Sequence, residues 1–313
     1  MNEITRKFEV LRISILSHCN FACVYCAPKN KFKSDVDTNH YHFLTPEVLE
    51  TKVKLLIPHI QIKEVHLTGG EPTLHKDLFQ LIQTLIKLGI NDIALTSNGF
   101  FEENLLFKMK EAGLKRINFS MDSFSQSNFE RLSDRKFIIS DLLLRIEKAK
   151  QLGLEVKINC TVLNGYNEHE ILPILQWSGE RKIPIRFLEF MKMGPLQNSH
   201  HEYFFSASDI RSIISTKFQF GPIPTDSNST ANYFKTSEGY IFGMIANHTE
   251  PFCDSCNRLR MDSYGKIYGC LSDQTSFDLP NEKNDVEQVL NNAMKTKKNY
   301  FTGSELSMKY IGG

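Results

Sequence analysis

Two groups of cysteines are the residues in this sequence whose type and spacing most clearly suggest chemistry. The chain has 313 residues and seven cysteines; one group of three lies in SHCNFACVYC and another in PFCDSCNRLRMDSYGKIYGC. In a reducing compartment, thiols grouped in this way are metal ligands more often than disulfide partners. We therefore expect metal at both groups. The six thiols are those of Cys19, Cys23, Cys26, Cys253, Cys256 and Cys270.

Each group supplies three thiols rather than four, and this number narrows the kind of metal centre. A structural zinc site takes four protein ligands, so three thiols without an adjacent fourth suit it poorly. A [4Fe–4S] cluster held by three cysteines leaves one iron without a protein ligand, and that iron can bind a substrate or cosubstrate. We expect two such clusters. The alternative at the second group is a zinc ribbon with His248 as its fourth ligand.

The composition is that of an ordinary soluble protein. Hydrophobic residues make up 41% and charged residues 23%, with a formal net charge of +1. No apolar run approaches the roughly 18 residues that a membrane span needs, and no long basic run is present to follow a nucleic-acid backbone. The start of the chain lacks the features of a secretory signal. We therefore expect a cytoplasmic protein that binds neither membranes nor nucleic acid.

Strand and helix patterns alternate along the first two thirds of the chain. Six short apolar runs indicate strands, and helical patterns lie between them, one of them opened by Thr45 before Pro46. The six runs are 11–16, 64–70, 92–99, 116–122, 155–162 and 185–191. This alternation predicts parallel βαβ units. Six units are too few for a closed barrel of eight strands, so the predicted fold is α/β, an incomplete (β/α)6 barrel of the TIM type.

One face of these predicted strands is polar. Every second position is polar or charged, whereas the alternate positions are mostly branched apolar or aromatic. A closed, packed barrel would fill its interior with apolar side chains, so we expect a lumen that holds a ligand. The polar set comprises Arg12, Ser14, His66, Thr68, Thr96, Asn118, Ser120, Asp122, Lys157, Asn159, Thr161 and Arg186.

After about residue 195 the pattern changes to loops, a short helix and two hairpin-like runs at 233–246 and 258–270. A final helix is predicted at 285–297. This part is expected to form a smaller C-terminal α+β domain that carries the second cluster. The predicted division is 1–220 for the partial barrel and 221–313 for the auxiliary-cluster domain.

The first cysteine stretch resembles the signature of radical S-adenosylmethionine (SAM) enzymes, C-x3-C-x-aromatic-C, with Tyr25 in the aromatic position. LTGGEP at 67–72 is similar to the segment whose glycines let the backbone approach SAM in that superfamily. The second cysteine group, with Arg258 and Arg260 beside it, makes the chain resemble the GTP 3′,8-cyclase family over nearly its whole length, including the final Gly-Gly.

This resemblance implies a lyase that uses two [4Fe–4S] clusters and SAM. It would convert GTP to 3′,8-cyclo-7,8-dihydro-GTP, the first step of molybdenum cofactor biosynthesis. In that family the Gly-Gly tail reaches into the active site. The other implied partners are an electron donor such as flavodoxin or ferredoxin and a downstream cyclic pyranopterin monophosphate synthase. A homodimer is compatible with the sequence.

The resemblance also implies roles for individual residues. The six grouped cysteines would hold the clusters. A triphosphate is a ligand that would justify several buried cations on separate strands. The residues expected to be catalytic are Arg12, Arg258 and Arg260. Those expected near SAM are Tyr25, Gly70, Ser120 and Met191. Those expected near GTP are Arg12, His66, Thr96, Lys157, Arg186, Arg258, Leu259 and Arg260.

Two positions before LTGGEP depart from the family pattern, which usually has Lys-x-Arg there. This chain has Glu64 and His66 instead. A neutral imidazole donates one hydrogen bond where a guanidinium offers a charged fork, so we expect weaker triphosphate binding unless His66 is protonated. Two alternatives therefore stay open. One is a radical SAM paralogue that acts on a different nucleotide or a peptide, and the other is a non-enzymatic zinc or iron–sulfur protein.

Overall fold

A single sheet of eleven strands organises the residues described by the computed structural model, which are 6–26, 42–226, 228–280 and 285–312. In chain order the strands are β1 (Val10–Ser14), β2 (Glu64–Thr68), β3 (Ile93–Ser97), β4 (Arg116–Ser120), β5 (Glu155–Val162), β6 (Ile185–Glu189), β7 (Phe220–Pro222), β8 (Asn232–Thr236), β9 (Ile241–Ile245), β10 (Arg258–Met261) and β11 (Ile267–Tyr268). Within the sheet they follow the order β11-β10-β1-β2-β3-β4-β5-β6-β9-β8-β7.

The first six strands are parallel neighbours in chain order, which confirms the predicted incomplete (β/α)6 barrel. Each predicted strand forms, although most end a few residues earlier than the apolar runs suggested. The helices are α1 (Pro46–Leu56), α2 (Leu78–Lys87), α3 (Asn104–Glu111), α4 (Gln126–Ser133), α5 (Ile139–Gln151), α6 (Ile171–Glu180), α7 (His200–Tyr203), α8 (Ala207–Ser215) and α9 (Val286–Lys295). No helix among the described residues is long and apolar enough to cross a membrane.

Local sequence explains these elements. The Thr45 hydroxyl accepts a hydrogen bond from the Val48 amide and so caps α1, as predicted. In β1, alternation buries Leu11 and Ile13 completely in the core and turns Arg12 to the opposite face. The helices therefore cover the apolar face of the sheet, and the polar face lines the lumen.

The C-terminal strands extend the parallel sheet at both edges. Strand β10 pairs in parallel with β1, and β9 pairs in parallel with β6. The hairpin-like runs thus contribute strands to the same sheet as the barrel. The division of the chain at 220/221 into two domains stays a prediction.

Strand register places the two cysteine groups at opposite ends of β1. Val10 lies opposite Arg258 and Ile13 opposite Met261, so β1 and β10 start at the same end. The first cysteine loop follows the carboxyl end of β1, whereas Cys256 precedes the amino end of β10. Five residues of extended strand span about 16 Å. The lumen between the two groups is therefore about as long as an elongated small molecule.

Candidate active site

A cavity of about 1100 Å³ fills the lumen and meets both cysteine groups. Of the predicted polar face, every side chain except Ser14 lines it. Of the residues predicted to bind clusters, SAM or GTP, every one except Leu259 lines it: Cys19, Cys23, Cys26, Cys253, Cys256, Cys270, Tyr25, Gly70, Ser120, Met191, Arg12, His66, Thr96, Lys157, Arg186, Arg258 and Arg260.

Leu259 differs from that expectation. It lies on β10 between Arg258 and Arg260, and strand alternation turns its side chain, which is 0% exposed, into the hydrophobic core. Any contact between GTP and Leu259 would have to use its backbone. The two arginines on either side face the cavity.

The glycine pair of LTGGEP packs directly under the first cysteine loop. The Gly70 amide donates to the Leu16 carbonyl at 2.7 Å, and the Glu71 amide donates to the His18 carbonyl at 2.8 Å. A Cβ on Gly70 would lie 1.9 Å from the His18 carbonyl oxygen. The pair therefore also has a structural role, because close backbone packing at these glycines sets the position of the loop that carries Cys19.

Glu71 extends this support and was not identified from the sequence, although it belongs to the quoted motif. Its buried carboxylate accepts hydrogen bonds from the Ser97 hydroxyl at 2.7 Å and the Asn98 amide at 2.8 Å. The Asn98 side chain in turn lies 3.9 Å from the Cys19 sulfur. Burial, together with the charge of Glu71, raises the pKa of the Cys19 thiol to about 12. A cluster binding here must therefore displace the thiol proton.

Asp122 holds the aromatic residue of the cysteine motif. The Tyr25 hydroxyl donates to one carboxylate oxygen of Asp122, and the Thr161 amide donates to the other at 2.8 Å. Burial raises the pKa of Asp122 to about 6, although both hydrogen bonds oppose that shift. The ring of Tyr25 is thereby fixed at the cavity wall.

Arginines form one wall of the cavity, in the layer midway between the cysteine groups. Register sets Arg12 opposite Arg260 on one side and His66 on the other. Burial, followed by repulsion from Arg260, Arg258 and Arg186, holds the pKa of Arg12 well below its usual range. Burial also lowers the pKa of Arg260 to about 10. Mutual repulsion of buried cations favours a polyanionic ligand between them.

The chain terminus reaches this wall. Arg12 donates through Nε to the Gly312 carbonyl at 2.9 Å, and Arg260 donates to the same oxygen. The Ser14 hydroxyl donates to the Lys309 carbonyl at 2.6 Å. The described part of the tail therefore lies in the candidate site, as the resemblance implied, and Gly313 lies outside the described residues.

Arg186 is held by the polar side chains of two neighbouring strands. Its Nε donates to the side-chain Oδ1 of Asn159 at 2.8 Å, and its Nη2 donates to the Oδ1 of Asn118 at 2.8 Å. Lys157 lies 5.9 Å from the centre of the Tyr233 ring. Tyr233 comes from β8 and was not identified from the sequence, because nothing local links it to the lumen.

His66 and Glu64 form a hydrogen-bonded pair at the cavity wall. The His66 Nε2 lies 3.2 Å from Glu64, and Arg116 contacts the other carboxylate oxygen of Glu64 at 2.5 Å. Burial lowers the pKa of His66 to about 4, further helped by Arg12 and opposed by Glu64. The hydrogen bond from His66, with Arg116, lowers the pKa of Glu64. His66 is therefore neutral at pH 7 and donates to an ionised carboxylate.

The second cysteine group is surrounded by cations. Arg258 Nη1 lies 3.6 Å and Lys297 Nζ 3.2 Å from the Cys256 sulfur. Burial alone would raise the pKa of the Cys256 thiol, but Lys297 and Arg258 outweigh it and lower the value to about 6. Burial raises the pKa of Cys253 to about 11. Lys297 was not identified as a site residue from the sequence.

The predicted alternative of a zinc ribbon with His248 does not fit the structure. The His248 ring packs against His200 at 4.6 Å and Phe301 at 5.1 Å between ring centres, and its Nε2 accepts a hydrogen bond from the Lys192 amide. A neutral ring that accepts at Nε2 carries its proton on Nδ1 and has no lone pair left for a metal. Among the described residues, no three His, Cys, Asp or Glu side chains converge on a single-ion site.

The donor sets fit iron–sulfur clusters instead. All six grouped cysteines are free and border the cavity. The Cys19 sulfur accepts a hydrogen bond from the Phe21 amide at 3.3 Å, and the Cys256 sulfur accepts hydrogen bonds from Arg258 and Lys297. Thiolates with N–H donors around the sulfur are the usual surroundings of such clusters.

Sequence comparisons agree with this arrangement. Residues 13–178 match the Radical SAM superfamily, and residues 183–302 match Molybdenum Cofactor Synthesis C. The GTP 3′,8-cyclase of Aquifex aeolicus is 35% identical over 99% of this chain and 96% of its own length. That of Campylobacter lari is 36% identical over 85% of this chain and 81% of its own.

A solved structure supports the fold. Streptococcus suis SuiB bound to the precursor peptide SuiA superimposes with a TM-score of 0.67 at 13% identity, covering 93% of this chain and 67% of that one. At this identity the likeness concerns the fold. From the sequence relatives, which align over nearly the full length, the chain belongs to the GTP 3′,8-cyclase family of the radical SAM superfamily.

Proposed function

We propose that this protein is a radical SAM lyase that converts GTP to 3′,8-cyclo-7,8-dihydro-GTP, the first step of molybdenum cofactor biosynthesis. One observation carries the proposal: two groups of three cysteines stand at opposite ends of a single cavity whose middle layer is cationic. A family membership at 35% identity over the whole chain agrees with it.

In this proposal the first group, Cys19, Cys23 and Cys26, holds the cluster that binds SAM, and the second group holds the cluster next to GTP. When bound, the first cluster and SAM supply an electron and a radical that abstracts hydrogen from the substrate. Tyr25, Gly70, Ser120 and Met191 border the SAM end of the cavity. The backbone contacts of Gly70 and Glu71 hold the first cysteine loop against the end of β2.

The cations of the middle layer bind and orient the triphosphate. Arg12 and Arg260 flank each other across neighbouring strands, and Arg186 and Lys157 approach from the other side of the lumen. Their amide and carbonyl partners hold the guanidinium groups in place before substrate arrives. Charge-assisted hydrogen bonds from fixed donors are the strong kind.

Four further proposals concern the setting of the enzyme. We propose a cytoplasmic location, because grouped free thiols and iron–sulfur clusters suit a reducing compartment. The electron would come from a small redox protein such as flavodoxin or ferredoxin. The product would pass to a cyclic pyranopterin monophosphate synthase. The enzyme itself would be a homodimer, which light scattering on the purified protein would test.

The decisive experiment uses protein that was reconstituted and assayed without oxygen. About eight irons and eight sulfides per chain are expected, and two zinc ions would overturn the proposal. With SAM, a reductant and GTP, we expect 5′-deoxyadenosine together with the cyclic product. Formation of 5′-deoxyadenosine without any product derived from GTP would overturn GTP as substrate and keep the radical SAM assignment.

The second candidate is a paralogue with a different substrate, and the pair formed by Glu64 and His66 favours it. This pair places a carboxylate and a neutral ring on the cavity wall beside Arg12. Competition between GTP and GDP for the same site would separate the two readings, because a triphosphate site built on the arginine layer should prefer GTP.

A further inference from the structure

Cys256 accepts hydrogen bonds from two cationic side chains, and one of them is held in place by more than the sulfur. The Lys297 ammonium lies 3.2 Å from the Cys256 sulfur and donates to the Arg258 carbonyl at 3.0 Å. It also lies 5.2 Å from the centre of the Phe8 ring. Three contacts in different directions fix the charge against this sulfur.

The end of α9 explains why the ammonium can reach this position. A Cβ on Gly269 would lie 1.7 Å from the Ala293 carbonyl oxygen, so the last turn of α9 packs directly on the backbone next to Cys270. Lys297 follows within four residues of Ala293. The packing of α9 therefore positions Lys297 next to the second cysteine group, although the lysine does not belong to the strand that carries Arg258.

The first cysteine group has different surroundings. Among the described residues, neutral groups contact its sulfurs: the Phe21 amide lies 3.3 Å and the Asn98 side-chain amide 3.9 Å from the Cys19 sulfur, and the Ser307 hydroxyl lies 3.8 Å from that of Cys26. Two carboxylates stand behind it, Glu71 through Asn98 and Asp122 through Tyr25. Lys309 lines the same cavity, and its charge opposes the rise that burial causes in the pKa of the Cys19 and Cys26 thiols.

These surroundings act in opposite directions on cluster reduction. Reduction adds one electron and no proton, so nearby cations stabilise the reduced cluster and nearby carboxylates destabilise it. We propose that Lys297 is a positioning residue that raises the reduction potential of the second cluster above that of the first. This inference rests on the proposed presence of both clusters.

The test is a redox titration of the reconstituted enzyme, followed by electron paramagnetic resonance. Replacing the first group (Cys19, Cys23 and Cys26→Ser) isolates the second cluster, and replacing the second group isolates the first. With Lys297→Met, we expect the ratio of reduced to oxidised second cluster to fall at least tenfold at a fixed potential, or about 59 mV for a one-electron couple. The first cluster should not change.

Three variants separate charge, hydrogen bond and bulk. Lys297→Arg should keep the wild-type potential, and Lys297→Gln should fall between Met and the wild type. Lys298→Met is the matched control, since Lys298 donates to the Ser272 carbonyl and the Thr302 hydroxyl instead of to sulfur. If Lys297→Met fails to hold the second cluster, the reduction potential of that cluster must still be lower in Lys297→Gln than in the wild type.

Two results would overturn the inference while the proposed function stands. One is an unchanged potential in both Lys297→Met and Lys297→Gln at eight irons per wild-type chain. The other is a first cluster with the higher potential. Four irons in the wild-type protein would instead refute the second cluster, and the proposed function with it.

Discussion

Single residues decide how this cavity treats a triphosphate, and His66 is the clearest case. It occupies the same layer as Arg12 and Arg260, yet it is neutral and donates to Glu64. Of these three adjacent positions, two carry fixed positive charges and the third contributes a dipole. Glu64, which is shared with Arg116, directs that dipole away from a phosphate.

Restoring a cation at this position should strengthen GTP binding. His66→Arg combined with Glu64→Gln is expected to bind GTP at least about tenfold more tightly, because a hydrogen bond to a charged group contributes roughly 1.5–3 kcal/mol. Calorimetry without SAM and reductant measures this affinity without turnover. His59→Arg adds the same charge at an exposed site and should change nothing. Equal affinity in all three proteins would show that no phosphate reaches position 66.

His66 also makes stability depend on pH. In the unfolded chain its pKa is about 6.5, whereas in the folded protein its pKa is about 4. The unfolded state binds more protons between these values, so stability is complete above the upper value and is lost as the pH falls toward the lower one.

We therefore expect His66→Gln, which keeps a donor toward Glu64 but cannot titrate, to lose less stability than the wild type between about pH 7 and pH 5. Urea denaturation of the cluster-free proteins, followed by circular dichroism at a series of pH values, gives the dependence of the free energy of unfolding on pH for the variant and for the wild type. His59→Gln should retain the wild-type slope. If the free energy of unfolding of His66→Gln depended on pH as steeply as that of the wild type, His66 would not be the cause of the pH dependence.

At the scale of elements, a local hairpin and a later helix together position the second cysteine group. Strand β11 returns Cys270 to the end of β10 where Cys256 lies, and α9 packs onto Gly269. The first contact is a local hairpin, whereas the second brings in a helix from later in the chain. The geometry of this group therefore depends on a helix that contributes no ligand.

Gly269→Ala tests that dependence. The added methyl group would meet the Ala293 carbonyl, so α9 has to move, and overpacking of this kind costs about 1–3 kcal/mol. We expect the iron content to fall by about half, with the first cluster retained. Gly221→Ala is the matched control, because no atom lies within 4 Å of its added Cβ. Full iron content in Gly269→Ala would show that the packing is not required.

Local patterns predicted the elements well, and non-local pairing was beyond them. The alternation that buries Leu11 and exposes Arg12 to the lumen is visible in five residues, so the barrel and its polar face followed from the sequence. The motifs likewise placed the cysteines. The parallel pairing of β10 with β1 joins segments about 250 residues apart, and no local signal encodes it. Lys297 and Tyr233 were missed for that reason.

At the scale of the whole molecule, two strand pairs join the C-terminal segment to the barrel, β10 with β1 and β9 with β6. The barrel strands alone would leave the edges of β1 and β6 open, and β10 and β9 cover them. Open edges of a parallel sheet expose unpaired backbone groups and invite aggregation. The C-terminal segment therefore extends the sheet beyond both of these edges and supplies part of the cavity wall.

The pairing of β10 with β1 and of β9 with β6 makes a prediction about the boundary at 220/221. A fragment of residues 1–220 should aggregate or stay unfolded. It lacks the strands that cover the edges of β1 and β6, and it also lacks the part of the cavity wall that carries Arg258 and Arg260. The matched control is the full chain with a protease site inserted between residues 220 and 226 and cleaved after folding. Its two pieces should remain associated through β9 and β10 during size-exclusion chromatography. A soluble, monomeric 1–220 fragment with a cooperative unfolding transition would show that the partial barrel is an independent domain.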